Sequence, residues 1–153
     1  MMYFAYGSNL NWEQMKQRCP DCVAVTKATL KGWQLQFRGP LDIEPDPESE
    51  VHGVVFSISN RDLKNLDRYE GFPNLYTRKK VVLINNKKNQ LIQAIVYVMT
   101  KTRKGDGLEY PSKKYLQVVL QGMTDFDITD APIWRAINRV DRPYFKRRYV
   151  VGR

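Results

Sequence analysis

Only two of the 153 residues are cysteines, Cys19 and Cys22, and only one is a histidine, His52. Two thiols cannot build a disulfide framework, and a reducing compartment suits them. Cys19-Pro20-Asp21-Cys22 has the spacing of a redox pair or of half a zinc site. A zinc site takes about four ligands, and His52 is the sole nitrogen donor left to complete one. Redox chemistry of the thioredoxin type needs the pair to open a helix, whereas here it follows one. The reading is two ordinary reduced thiols and no metal. His52 alternates with Val54, Phe56 and Ile58 along a strand, which marks a packed, hydrogen-bonded side chain rather than a base. No apolar run approaches the ~20 residues of a membrane span. Met1 to Leu10 has no basic region leading into a long apolar stretch, so no secretory leader is expected. These absences predict a soluble, cytoplasmic chain.

What is present is an ordinary globular balance, with 42% hydrophobic and 27% charged residues. A chain of this length can bury roughly two-thirds of its unfolded surface, so residues 1–153 are expected to form one domain without staples. Twenty-five basic residues against 16 acidic give a net charge of +9. Acid is concentrated in Asp42, Glu44, Asp46, Glu48 and Glu50, interleaved with Pro40, Pro45 and Pro47. Base is concentrated in a tail over 139–153, where Arg139, Arg142, Lys146, Arg147, Arg148 and Arg153 face only Asp141. Such a tail attracts polyanions at low salt without reading their sequence. No helix-turn-helix, RNP-like or zinc-finger pattern accompanies it, so no specific nucleic acid is expected.

The pattern along the chain predicts an α+β domain. A short aromatic strand over Tyr3-Phe4-Ala5-Tyr6 stops at Gly7-Ser8-Asn9. Asn11 caps a helix, with Gln14 as its reciprocal capping-box partner, ending by Cys19-Pro20. Strands follow over 23–30 and 33–38, then a proline-bearing loop over 39–50 and a strand over 51–58. Ser59 and Asp62 open a second helix that Gly71 stops in a left-handed conformation. Strands over 76–84 and 91–99 flank the hairpin Asn85 to Asn89. The second, nearly all apolar, should be covered on both faces. Pro111 and Ser112 open a helix to about Gln121, and 132–140 forms a last one. The count is about six strands and three or four short helices.

Two features suggest chemistry. Glycine after a strand in Tyr6-Gly7-Ser8-Asn9-Leu10 frees the backbone to present successive N–H groups, and a helix start follows, which makes a small anion cradle. Leu66-Asp67-Arg68-Tyr69-Glu70-Gly71 puts a carboxylate at a helix C-terminus, whose partial negative charge favours a cation instead. That field, together with burial, would raise Glu70 toward the range of a general base.

Together these two segments resemble the γ-glutamylcyclotransferase family, including its avirulence-induced-gene-like branch. Gly53-Val54-Val55-Phe56, Tyr97-Val98-Met99 and Pro111 to Tyr115 match the same pattern in the same order. The resemblance runs from about Tyr3 to Gly122 and stops short of the basic tail. It implies a small mixed β-barrel flanked by short helices. It also implies a reaction, release of an amine or amino acid from a γ-glutamyl compound with closure to 5-oxoproline. On this basis Tyr6, Gly7, Ser8, Asn9 and Leu10 would hold the glutamyl moiety, Glu70 would be the general acid/base and Tyr115 would be a pocket residue. No metal or organic cofactor is implied, and the chain is expected to act as a monomer or homodimer on a small-molecule substrate. Two other readings stay open, a non-catalytic module that binds a small carboxylate and a basic nucleic-acid-binding module.

Overall fold

The computed structural model describes residues 1–104 and 107–140. Five strands close into one mixed barrel in the order β1-β3-β2-β4-β5. They are β1 (Met2–Ala5), β2 (Val23–Phe37), β3 (Leu41–Ser57), β4 (Tyr76–Asn85) and β5 (Leu91–Met99). Closure comes from β1, antiparallel to β3 from Met2↔Ser57 to Ala5↔Val54 and parallel to β5 at Tyr3↔Ile95. The helices are α1 (Trp12–Arg18), α2 (Asn60–Glu70), the short α3 (Lys101–Lys104), α4 (Lys113–Asp125) and α5, over 131–140. No helix of the described residues is long and apolar enough to cross a membrane.

The barrel confirms the α+β class with five strands instead of about six. Two expected strands, 23–30 and 33–38, are one strand, because Gly32 (φ +83°) takes up a register shift between Lys31↔Glu50 and Trp33↔Pro45. The segment 39–50, expected as a loop, is largely strand. Leu41 and Ile43 alternate with Asp42 and Glu44, and both acids pair with the buried Arg38, Asp42 at 3.4 Å and Glu44 at 3.0 Å. Buried charge needs such partners, and composition does not reveal them. Pro47 falls in the four residues opposite Gly32, where the Asp46 carboxylate accepts from the Glu48 N–H and the Ser49 hydroxyl, and no ladder donor is lost. Coverage of β5 also differs. Leu91 is 73% exposed and Met99 2%, since β1 reaches only Ile95 and the earlier residues pair with β4 alone.

Helix starts and stops follow the sequence signals. Ser59 and Asp62 form a complete capping box, and Gly71 (φ +65°) ends α2. Asn11 caps α1 through the Gln14 N–H, but the Gln14 side chain does not return the bond. It reaches the Ser8 carbonyl at 3.0 Å and Asn9 Oδ1 at 3.4 Å. Helix α4 runs on to Asp125, so Gly122 lies inside it. A Cβ there would sit 2.5 Å from the Asn11 nitrogen and 2.6 Å from the Leu10 carbonyl carbon. That contact seats α4 on the turn after β1.

Phe4 shares one face of the sheet with Val55 and Val51, Phe56 on the other face packs against Trp12 and Phe126, and Met15, Leu66 and Ile133 bring the helices into the same core. Burying a side chain of this size stabilises by about 1.5–3 kcal/mol. Of the basic tail, Arg139 donates to the Leu35 carbonyl at 2.6 Å and to Gln36 Oε1 at 3.1 Å. Lys146, Arg147 and Arg148 lie outside the described residues.

Candidate functional site

Strand β1 delivers Tyr6 and Gly7 to the mouth of the barrel, where the chain makes one turn of 3-10 helix over Ser8–Leu10. The Leu10 and Asn11 N–H groups close that turn on the carbonyls of Gly7 and Ser8. The N–H groups of Gly7, Ser8 and Asn9 take no acceptor among the described residues, as at any helix start. Beside them lies a cavity of about 260 Å³, lined by Tyr6, Gly7, Ser8, Asn9, Glu70 and Tyr115 together with Arg18 and further tyrosines. This brings together every residue the sequence nominated except Leu10. Leu10 is fully buried and packs under Gly122, so its side chain supports the turn from below.

Glu70 is the last residue of α2, held there because Gly71 turns the chain back at once. Its Oε1 lies 3.4 Å from Asn9 Nδ2, which joins the two motifs across 61 residues of sequence. Glu70 keeps partial contact with solvent, yet its carboxylate is packed round by protein. Desolvation lifts its pKa from 4.5 to about 7, against a smaller downward pull from the Arg18 guanidinium. A carboxyl poised near neutrality both takes and returns a proton.

The wall is built of tyrosines whose hydroxyls are already placed. Tyr6 donates to the Tyr97 carbonyl at 2.7 Å and Tyr76 to the Leu41 carbonyl at 2.8 Å. Tyr97 donates to Asp67 Oδ1 at 2.6 Å, and Tyr3 accepts from Asn9 Nδ2 at 2.9 Å. Tyr115 Oη accepts from the Leu41 N–H at 3.0 Å and keeps its own proton. Burial pushes all five phenols up, Tyr115 to about 12, so the wall is neutral at physiological pH.

Arg18, Tyr3, Tyr69, Leu75 and Tyr76 reach the cavity without having been singled out from the sequence. Arg18 ends α1, and its Nη1 donates to Asn9 Oδ1 at 3.0 Å. Nothing in the local pattern separates it from Lys16, the other basic residue of α1. The cysteines stand apart from the cavity. Cys19 is buried and Cys22 half-buried, and burial raises both thiols, Cys19 to about 12, so neither is an activated thiolate. His52 Nδ1 lies 3.1 Å from Thr29 Oγ1, also outside the cavity. Among the described residues, no group of three His, Cys, Asp or Glu side chains is placed to hold a metal.

The barrel has the fold of a solved γ-glutamyl cyclotransferase. That structure superposes with a TM-score of 0.73 over 92% of this chain and 86% of the other, at 25% identity. A human protein described as uncharacterized matches with a TM-score of 0.72 at 27% identity, over 82% of this chain and 79% of its own. In sequence, bovine γ-glutamylcyclotransferase is 29% identical over 133 residues, covering 79% of this chain and 69% of the relative. The human γ-glutamylcyclotransferase is 28% identical over the same shares. Residues 3–117 match the family model described as gamma-glutamyl cyclotransferase, AIG2-like, and the chain belongs to that family.

Proposed function

We propose that this protein is a γ-glutamylcyclotransferase that releases an amine or amino acid from a small γ-glutamyl compound and forms 5-oxoproline. One observation carries the reading: a carboxyl with a pKa of about 7 stands across a small cavity from a turn with three N–H groups to spare. In this mechanism the Gly7 to Asn9 N–H groups hold the substrate α-carboxylate. The neutral α-amine then lies near Glu70 and attacks the γ-carbonyl carbon within the same molecule, so no second reactant must be gathered. Glu70 takes the surplus proton from that nitrogen. The tetrahedral intermediate collapses with cleavage of the amide C–N bond, and Glu70 gives the same proton to the departing nitrogen. Lactam and free amine result, with no net gain or loss of protons. The Tyr115 hydroxyl is the donor available to the developing oxyanion.

The direct test is a panel of γ-glutamyl amino acids, peptides and amines, with 5-oxoproline as the readout. Turnover of at least one member is expected, and a blank across the panel would leave a carboxylate-binding module instead. Acetate or formate present during crystallisation should occupy the turn, one oxygen within hydrogen-bonding distance of the Ser8 and Asn9 N–H groups. In solution the amide resonances of residues 7–9 should move first on titration with 5-oxoproline. Movement confined to other segments would contradict the cradle.

A further inference from the structure

We infer that Arg18 selects the leaving group, recognising a carboxylate on the amine that departs, so that γ-glutamyl amino acids or peptides are favoured over γ-glutamyl alkylamines. The inference rests on the reading of the site as a γ-glutamylcyclotransferase and deepens it. Arg18 is the one basic side chain among the described residues lining the cavity. A guanidinium carries five N–H donors, and one of them, on Nη1, is engaged by Asn9 Oδ1. The others have no acceptor among the described residues. Two contacts hold the residue in place. The guanidinium lies over the Tyr69 ring, 4.3 Å from its centroid. The Arg18 carbonyl accepts from Asn65 Nδ2 at 2.9 Å, which ties the end of α1 to α2. The cation also sits at a helix C-terminus, where it is favoured. A planar fork held in this way is suited to a carboxylate.

The position within the cavity decides which carboxylate. Tyr3, Tyr6, Tyr76 and Tyr97 enclose the cavity on its buried side, while Tyr69 is 58% exposed and Leu75 52%. The glutamyl half, which must meet both the turn and Glu70, occupies the enclosed part, and the leaving group points outward past Tyr69. A cation stacked on Tyr69 therefore faces the leaving group. The remaining lining there, Leu75 and Pro40, is apolar, and the cavity volume of about 260 Å³ suits a small substrate.

The test compares kcat/KM for γ-glutamylalanine, γ-glutamylalaninamide and γ-glutamylethylamide in wild type, Arg18→Gln and Arg18→Lys. Wild type should prefer γ-glutamylalanine to its amide by about tenfold or more, an effect carried mainly by KM. Arg18→Gln should lose about 10-fold or more on γ-glutamylalanine beyond whatever it loses on the two neutral leaving groups, since its interactions with Asn9 and Glu70 serve all three substrates alike. Arg18→Lys should recover part of the preference. Equal losses on all three substrates would overturn the inference, since Arg18 would then serve the glutamyl half or the turn. Wild type that turns over all three without preference overturns it as well, independently of whether the variants fold. Wild type inactive on all three, and across the wider panel, overturns the proposed function itself and this inference with it.

Discussion

Glu70→Gln should reduce 5-oxoproline formation by about 10³-fold or more while leaving the protein folded and, above neutral pH, more stable than wild type. The kinetic part follows from the proposed acid/base role. A glutamine is nearly isosteric but neither takes nor returns a proton, and a positioned acid/base typically contributes 10²–10⁴-fold. The stability part follows from the raised pKa. Between pH 4.5 and 7 the folded state holds a proton that the unfolded state has already lost. Stability therefore falls as pH rises through that window and stays low above it. The full shift corresponds to roughly 3 kcal/mol, which partial solvent contact reduces to about 2 kcal/mol. Wild type and variant should melt together near pH 4.5 and separate by several degrees at pH 8, with the variant higher. A variant that keeps near wild-type turnover would remove Glu70 from the chemistry. One whose melting temperature tracks wild type at every pH would refute the raised carboxyl.

Gly122→Ala should cost both stability and activity, although it replaces glycine by the best helix former inside a helix. On an open face the exchange would stabilise by about 1 kcal/mol. Here the added methyl meets the backbone of Leu10 and Asn11 at 2.5–2.6 Å, atoms that no rotamer change can move aside. Overpacking of this kind costs about 1–3 kcal/mol even after relaxation, so the clash outweighs the propensity gain. The melting temperature should drop by about 5 °C. The relaxation available is a shift of α4 away from the turn over Ser8–Leu10, which also carries Tyr115 away from the Leu41 N–H. A misplacement of about 1 Å can cost 10²-fold, so kcat/KM should fall by about 10- to 100-fold. A variant as stable and active as wild type would show that the two elements are not seated on each other as described.

The difference between what was legible and what was not follows the range of the interactions involved. Ser59 with Asp62, Asn11 and Gly71 each act within one helical turn, so their roles could be read from spacing alone. Glu70 and the Gly7 to Asn9 turn were visible for the same reason, since a helix end and a strand end are local. The strand through 41–50 was hidden because Asp42 and Glu44 are matched by Arg38, and Pro47 falls where no ladder donor is lost. Gln14 fits the capping-box spacing, but the Asn11 N–H it would accept from is taken by the Ser8 carbonyl, and its amide nitrogen donates to Ser8 and Asn9 instead. Arg18, Tyr3, Tyr69 and Tyr76 depend on which elements the barrel brings to its mouth, and no window of ten residues contains that.

The way the barrel shuts has a consequence for how the protein acquires its site. Tyr3 pairs with Ile95 and the Tyr6 hydroxyl reaches the Tyr97 carbonyl, contacts spanning about ninety positions of the chain. Contacts of such long range repay their chain-closure entropy late, which slows folding. The N-terminal strand that carries the turn pairs with β3 over four residues, but the ring shuts only when the last strand joins it. A ligand held between them, binding the folded chain alone, acts as a clasp on the whole ring and protects even residues far from it against unfolding.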